Sequence, residues 1–547
     1  MSEEAGWSAN HDDVIGGSPS SERPNEPSGD SAATLQQARR GAGIVTIAQL
    51  IGQVSRVITG MLILILLGPE LSGVVQWVLV FSLFLDDVMR DVGFGAATIQ
   101  KAENPERDEL TSLFWVTAVI GVVTMGLLLL FGPTLADAVS HETGRALAVS
   151  VEGGDDVEAE LGSMLQLVGV TFFVSSLATM NWAILRRGFE FTKVAVLNVV
   201  TAVLGGCLPL LLFWAGFGAW SVPWGIFLTS CTVTTLSFVF ARFRPLPAFS
   251  WGRVRPHLGF SRDVTSGRVV SFAAANGDRF VVGGVLGNLA LGFYGFAFRV
   301  VMAPVQLLAS VSTELLFPTL SRLQSEPAAL SAALRRAAKL AAVVITVPMV
   351  ALAVSAEPAI AVVSDVRGDD WSPAEPLVAI LAIVAIPQAI MSVVLPAMIA
   401  AGKTTRMFLW STVAAVAAVV AYLIGAQFGL TEVAWAFLIV MVVLFVPHLE
   451  VVGRCAGVSA ATFLRDLAPI GMAGAVGALA GAGVGRLVDT APPLLDLAVR
   501  GVVASIAAGV TLVVLRQRVL VDLVGFVPGA GRLRAVLDRH CTRGIVH

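Results

Sequence analysis

The sequence predicts an all-α integral membrane protein. It should have about fourteen transmembrane helices, arranged as two parallel-repeat six-helix lobes around a central cavity, with two extra C-terminal helices. Three observations predict this. Hydrophobic residues make up 56% of the chain and charged ones 14%, with a mean hydropathy of +0.81, which is too apolar for a fold whose whole surface meets water. Apolar runs of about 20 residues, the length that crosses a hydrocarbon core, recur along the chain. Short glycine-centred motifs in the first half return in the same order in the second.

The first six runs lie near 44–67, 72–99, 111–131, 163–184, 194–215 and 219–241. After a basic connector, eight more follow near 264–286, 291–317, 341–363, 376–400, 405–425, 432–452, 467–488 and 494–515. Cations then mark the sides, because cytoplasmic loops carry the excess of Lys and Arg. One set of loops holds Lys101 and Arg107, then Arg186, Arg187 and Lys193, then the five arginines between Arg242 and Arg262. The same side continues with Arg322, Arg335, Arg336 and Lys339, then Lys403 and Arg406, then Arg454 and Arg465, and last the arginines beyond residue 515. The opposite loops offer little beyond Arg145, Arg367 and Arg486. Both termini are therefore expected in the cytoplasm of a multi-pass cell-membrane protein.

Residues 1–38 are polar and rich in Ser, Pro, Glu and Gly, with no apolar signal core, and are expected to be a disordered cytoplasmic tail. The stretch 516–547 sets six arginines beside scattered Leu and Val residues, as in a basic cytoplasmic tail or a helix lying on anionic lipid. A net charge of -3 gives no sign of nucleic-acid binding. The four cysteines show neither CxxC nor metal-ligand spacing, so no metal and no cofactor is expected. The acidic loop with Asp155, Asp156, Glu158 and Glu160 reads as a solvated loop.

LGPELSG at 67–73 returns as LGNLALG at 286–292, and FGAWSVPW at 217–224 returns as FGLTEVAW at 428–435. IQKAENP at 99–105 echoes in LQSEP at 323–327. These repeats divide the chain into an N-lobe at 40–245, a basic cytoplasmic linker at 246–262, a C-lobe at 263–455, and two further helices within 456–515. Six spans per copy is an even number, so both copies enter the membrane with the same orientation. Two such lobes can rock about a shared cavity.

Ionisable residues at membrane depth are costly and generally face a cavity or a partner. Arg56 falls near the middle of the first span, 12 residues before Gly68, and Arg279 falls 8 before Gly287, so the two should occupy equivalent faces of equivalent helices. With Arg299 they are candidates for binding the phosphates of a lipid carrier, since guanidinium presents several fixed donors to phosphate oxygens. The competing reading pairs Arg56 with an acid of the second span, and Arg279 with Asp278 or Asp86. Asp86, Asp87, Arg90 and Asp91 at the inner half of the second span, with Asn276 and Asp278 in the seventh, are expected to form a gate or charge network. His448 and Glu450 receive no role, and the same holds for Glu314.

The stretch NGDRFVVGGVLGNLALGFYGFAFRVVMAPVQLLASVSTELLFPTLSRLQ at 276–324, with DVGFGAATIQK at 91–101, TSLFW at 111–115 and AILRRGFEF at 183–191, resembles the polysaccharide flippases of the multidrug, oligosaccharidyl-lipid and polysaccharide exporter superfamily, in its exopolysaccharide, teichuronic-acid and O-antigen branch. Val116 and Thr117 follow the Phe-Trp where the family often has Asn. The resemblance implies a V-shaped pair of lobes that opens alternately to each side. It also implies a polyprenyl-diphosphate-linked oligosaccharide as cargo, flipped from the inner to the outer leaflet for cell-surface polysaccharide export. The expected partners are that lipid-linked saccharide, membrane lipid and the polymerase or export machinery, with a monomeric chain and a coupling ion, H+ or Na+, left open. In similar flippases the last two helices can form a groove for the lipid tail, whereas the series Gly471, Gly474, Gly477, Gly481 and Gly485 equally suits a structural pair. Two alternatives stand beside this reading: a drug or organic-cation antiporter of the same superfamily, and a membrane glycosyltransferase or polysaccharide polymerase. No nucleotide-binding loop points to an ATPase or another enzyme.

Overall fold

In the computed structural model of the protein the described residues are 52, 55–89, 94, 106–140, 154–188, 190–312, 316–324, 326–488 and 491–515. The side chains of a few of them, among them Asp155, Asp156 and Glu158, are not described. The two polar tails, Arg90, Asp91 and Glu314, and the echo at 99–105 lie outside the described residues.

Among the described residues all regular structure is helical. The first lobe contains α1 (Ser55–Leu67), α2 (Pro69–Phe84), α3 (Arg107–Ser140), α4 (Gly154–Ser176), the short α5 (Thr179–Arg187), α6 (Phe191–Leu212) and α7 (Ser221–Ala241). The second contains α8 (Leu258–Leu286), α9 (Asn288–Val311), α10 (Pro327–Val354), α11 (Ala356–Arg367), α12 (Glu375–Val394), α13 (Thr404–Gly425) and α14 (Leu430–Gly453). Two more, α15 (Ala460–Val488) and α16 (Pro493–Val514), close the described chain.

Twelve stretches of the described residues are long and apolar enough to cross a membrane. One of them, Phe191–Ala241, contains two helices, because Gly216 with φ 93 interrupts it and α7 folds back on α6. Val194 and Leu197 at the start of α6 pack with Val233 of α7, while Pro209 near its end meets Gly225, so the two run antiparallel. With Ser55–Leu67, whose beginning lies outside the described residues, the fourteen expected segments are accounted for. The outward faces are apolar: on α13, Leu409, Val413, Val416, Val420 and Ile424 are all exposed, which suits lipid and not water.

Two spans differ from their expected form. The run at 341–363 is not one helix: α10 stops at Val354 and α11 begins at Ala356. Pro358 is the reason, since its ring would collide with the carbonyl four residues back if the helix continued, whereas a proline is tolerated in the first turn of a new helix. The run at 72–99 leaves α-geometry after Phe84 for a π-helical turn at Leu85–Met89, which carries Asp86 and Asp87.

The repeat is visible in the backbone. Gly68 and Gly287 adopt nearly the same conformation, φ 82 and ψ 168 against φ 89 and ψ 177, which residues with a Cβ rarely take. The Gly68 N–H donates to the Leu64 carbonyl at 3.2 Å, as that of Gly287 does to Gly283 at 3.2 Å. Ser72 and Leu291 in turn donate to the two glycine carbonyls, each at 3.1 Å. Gly218 and Gly429 of the second motif pair both have positive φ as well. Around these turns α2 and α9 cross in direct backbone contact. Trp77 of α2 reaches over to donate to the Asn288 side chain at 3.0 Å.

A loop of the second lobe seals the same end. Arg367 donates to the Leu66 carbonyl, and Asp369 lies against Gly68, where a Cβ would be 2.9 Å from Oδ2. Beside them Trp371 is fully buried against Phe293 and Phe296 of α9.

α15 runs parallel to α10, as shown by Arg335 with Asp466 near their starts and Val354 with Gly481 near their ends. Gly477, Gly481 and Gly485 let α16 approach α15, and Gly474 lets α15 approach Thr346. The glycine series is thus used for packing except at Gly471, which faces open space. Arg500 of α16 is buried in a cluster with Asp496 (Nε to Oδ1 2.6 Å) and Glu357 of α11 (Nη1 to Oε2 3.2 Å).

Candidate functional site

Between α1, α2 and α4–α7 of the first lobe and α8 and α9 of the second lies a cavity of about 930 Å³. It begins one turn of α1 below the glycine turns, at Ile63 and Leu64, and runs to Asp86, Arg186 and Arg268 at the other end. The α2–α9 crossing and the Arg367–Asp369 loop close it off at the glycine-turn end.

Its electrostatics are one-sided. Among the described residues Arg56, Arg186, Arg268, Arg279 and Arg299 line it, against the one carboxylate Asp86. All three candidate phosphate ligands, which lie on α1, α8 and α9, line one cavity; the repeat positions had suggested this for Arg56 and Arg279, not for Arg299. The Arg279 guanidinium donates to the Asn276 side-chain oxygen at 3.1 Å and sits 5.0 Å from the centre of the Phe298 ring. Arg299 enters the space left by Gly60, where a Cβ would come within 1.9 Å of its Nη1. Among the described residues neither Arg56, Arg279 nor Arg299 forms an ion pair. An arginine at the centre of a span costs about 2.5 to 3.5 kcal/mol on insertion scales. Holding three of them in one cavity without an ion pair among the described residues favours a cavity that admits water or an anion.

The remaining predicted residues are distributed differently. Asp86 lines the cavity, and Asp87 is exposed, with its carbonyl accepting from Arg268 Nη1 at 3.1 Å. Asn276 and Asp278 are buried and are not among the lining residues. Asp278 accepts from the Tyr294 hydroxyl at 2.9 Å, while its other oxygen has no partner among the described residues. His448 is buried and its Nδ1 accepts from Trp410 Nε1 at 2.7 Å, while its Nε2 has no partner among the described residues; Glu450 takes the Ala460 N–H at 2.9 Å at the start of α15.

Two cavity cations were not singled out from sequence. Arg186 had been counted as a loop charge, and Arg268 was absorbed into a hydrophobic run. A signal existed for Arg268: it precedes Arg279 by 11 residues, about three helical turns, and so shares its face. Trp182 also lines the cavity and lies under Arg186, whose guanidinium is 5.3 Å from its ring centre. Among the described residues no group of three or more His, Cys, Asp or Glu is placed to hold a metal ion.

The fold with its arginine-lined cavity defines a polytopic membrane protein, and comparison with known proteins agrees. Residues 65–150 and 157–376, more than half of the chain, match the family described as polysaccharide biosynthesis protein, and the chain belongs to that family. It is 24% identical to the teichuronic acid biosynthesis protein TuaB of Bacillus subtilis (strain 168), over 65% of this chain and 70% of that one. It is 25% identical to the succinoglycan biosynthesis transport protein ExoT of Rhizobium meliloti (strain 1021), over 66% and 69%. Among solved structures the fold resembles the lipid II flippase MurJ in an inward closed conformation, with a TM-score of 0.67 and 16% identity over 86% of this chain and 99% of that one. It also resembles an inward-facing multidrug-resistance MATE transporter of the MOP superfamily, with a TM-score of 0.53 and 13% identity over 77% and 96%.

Proposed function

We propose that this protein moves a polyprenyl-diphosphate-linked oligosaccharide from the inner to the outer leaflet by alternating access, for export of a cell-surface polysaccharide. The observation that carries the proposal is the meeting of Arg56, Arg279 and Arg299 in one cavity with no ion pair among the described residues. A diphosphate would supply the countercharge that these arginines do not find in an ion pair among the described residues, and guanidinium donors suit its oxygens. The family, and the printed names of TuaB, ExoT and MurJ, support a saccharide-linked lipid as cargo.

The excess of Lys and Arg in the loops at the Asp86–Arg268 end supports a cytoplasmic location for it. In that orientation the cavity leads toward the inner leaflet, where cargo loads, and the crossing of α2 and α9 closes the outer side. Reopening requires the two lobes to separate at Gly73 and Gly292. Five arginines against one carboxylate argue against an organic-cation antiporter, which needs a negative binding group.

The deciding experiment replaces Arg56 and Arg279 singly by Ala. Surface polysaccharide should be lost while the protein still inserts and accumulates, and normal export in both variants would remove the phosphate role. Purified protein in liposomes should also move a fluorescent polyprenyl-linked glycan between leaflets without changing its mass. A mass change without movement would instead favour a transferase or polymerase.

A further inference from the structure

The connector between the lobes, residues 242–257, is fastened along the inner end of α3. Arg107 donates to the Arg244 carbonyl at 3.2 Å and Trp115 Nε1 to that of Leu246 at 2.9 Å, while the Ser250 N–H donates to Ser112 Oγ at 3.1 Å. Further on, Arg253 pairs with Glu106 at 2.7 Å, and His257 Nε2 lies 2.8 Å from Glu109 Oε1. These partners span residues 106–115, about 14 Å of helix at 1.5 Å per residue. Over that length the chain passes from the charged stretch 106–109 to Leu113, Phe114 and Trp115, where α3 enters the hydrocarbon. The connector therefore runs at the depth of the lipid headgroups, a layer about 5 to 8 Å thick on each side of the core.

Its two sides differ in chemistry. Inward, Phe243 and Val254 are buried with Leu113, Phe114 and Met180, and Ser261 at the start of α8 is buried as well. Outward, at helical spacing from one another, stand Trp251, Arg255 and Leu258, all exposed. Phe249 and Trp251 are 55% and 56% exposed with ring centres 6.3 Å apart, and Leu258 and Phe260 are each 37% exposed. Arg242, Arg244 and Arg255 are exposed too. Among the described residues none of these three arginines forms an ion pair, whereas Arg253 has Glu106 and Arg262 has Asp263.

We propose that this outward face is a binding surface for anionic phospholipid headgroups of the inner leaflet. Aromatic rings gather at the boundary between hydrocarbon and water, and a phosphate there gives each unpaired guanidinium its countercharge. A connector held in water would instead leave four large apolar side chains bare beside one another. The excess of cations in the loops at this end supports its facing the cytoplasm, the side on which anionic lipid is concentrated. The surface is independent of the cargo, because none of these side chains lines the central cavity. Since the connector is tied to α3, the lipid contact belongs to the first lobe.

The test uses the full chain with Cys207, Cys231, Cys455 and Cys541 replaced by Ser and an environment-sensitive fluorophore attached at Ala248→Cys, an exposed position beside Phe249. It is reconstituted in phosphatidylcholine bilayers that contain either phosphatidylglycerol or phosphatidylcholine bearing a nitroxide quencher high on the acyl chain. Quenching should show phosphatidylglycerol favoured at this site by about fivefold or more, since one arginine near an anionic surface contributes about fivefold. Combining Arg242→Gln, Arg244→Gln and Arg255→Gln should bring that preference to about one. The corresponding triple change to Lys should keep it, which separates the charge from any loss of fold. Quenching by neither lipid would mean that water or another protein covers this face, and would overturn the proposal. Equal quenching by the two lipids in the parent, or a preference that survives the Gln variant, would overturn it as well.

Discussion

Gly73 and Gly292 are reciprocal counterparts across the α2–α9 crossing. A Cβ on Gly73 would lie 1.8 Å from the Asn288 carbonyl oxygen, and one on Gly292 would lie 1.9 Å from that of Pro69. Each helix thus presents the last glycine of the repeated LGxxxxG to the first residue of the other, as a local two-fold relation requires. No side chain fits at either position without parting the backbones. Gly73→Ala and Gly292→Ala should each cost about 1 to 3 kcal/mol, the range for overpacking a tight contact. Thermal unfolding in detergent checks this, and melting unchanged in both variants would contradict the closeness of the crossing.

Gly60 should matter through Arg299. Gly60→Ala puts a methyl where the guanidinium now rests, so it should weaken binding of a polyprenyl diphosphate nearly as much as Arg299→Ala does. Because both act on one group, the double variant should be no worse than the worse single one. Additive losses in a binding titration would place the two residues in separate roles.

Arg367 should hold the outer side shut. Its bond to the Leu66 carbonyl ties the α11–α12 loop to the turn between α1 and α2. Arg367→Ala should raise the labelling of a cysteine placed at Leu66 by a membrane-impermeant maleimide several-fold, and labelling no faster than in the parent would mean that the loop does not control access.

The Asp496–Arg500 pair offers a test of how the last two helices are held. Asp496→Leu takes from the buried Arg500 the carboxylate that binds it at 2.6 Å, and should cost about 3 to 5 kcal/mol. Adding Arg500→Met should recover much of that loss, because an apolar pair needs no desolvation. A double variant as unstable as Asp496→Leu alone would show that packing, and not charge, sets the cost.

Much of this organisation could be read from the residues in order. The LGxxxxG copies predicted matching turns, and Gly68 and Gly287 do share one backbone conformation. Arg56 and Arg279 were placed on equivalent faces by their distance to those glycines, and they do meet in one cavity. The break at Ser355 was missed because hydropathy averages over Pro358. Asn276 and Asp278 were grouped as part of a gate or charge network; both lie buried off the cavity lining, and Asn276 accepts from Arg279. Arg186 was set aside because loop charge and cavity charge look alike in a linear sequence.

Helical spans and the internal repeat were determined by the sequence alone, since apolar length and glycine spacing are local properties that survive any arrangement of the helices. Tertiary structure alone decided which side chains share the cavity and which arginines go without an ion pair among the described residues. Those outcomes depend on the rotation of each helix about its axis and on what packs against it. A turn of about 100° per residue moves a side chain from lipid to cavity without altering the hydropathy of its segment.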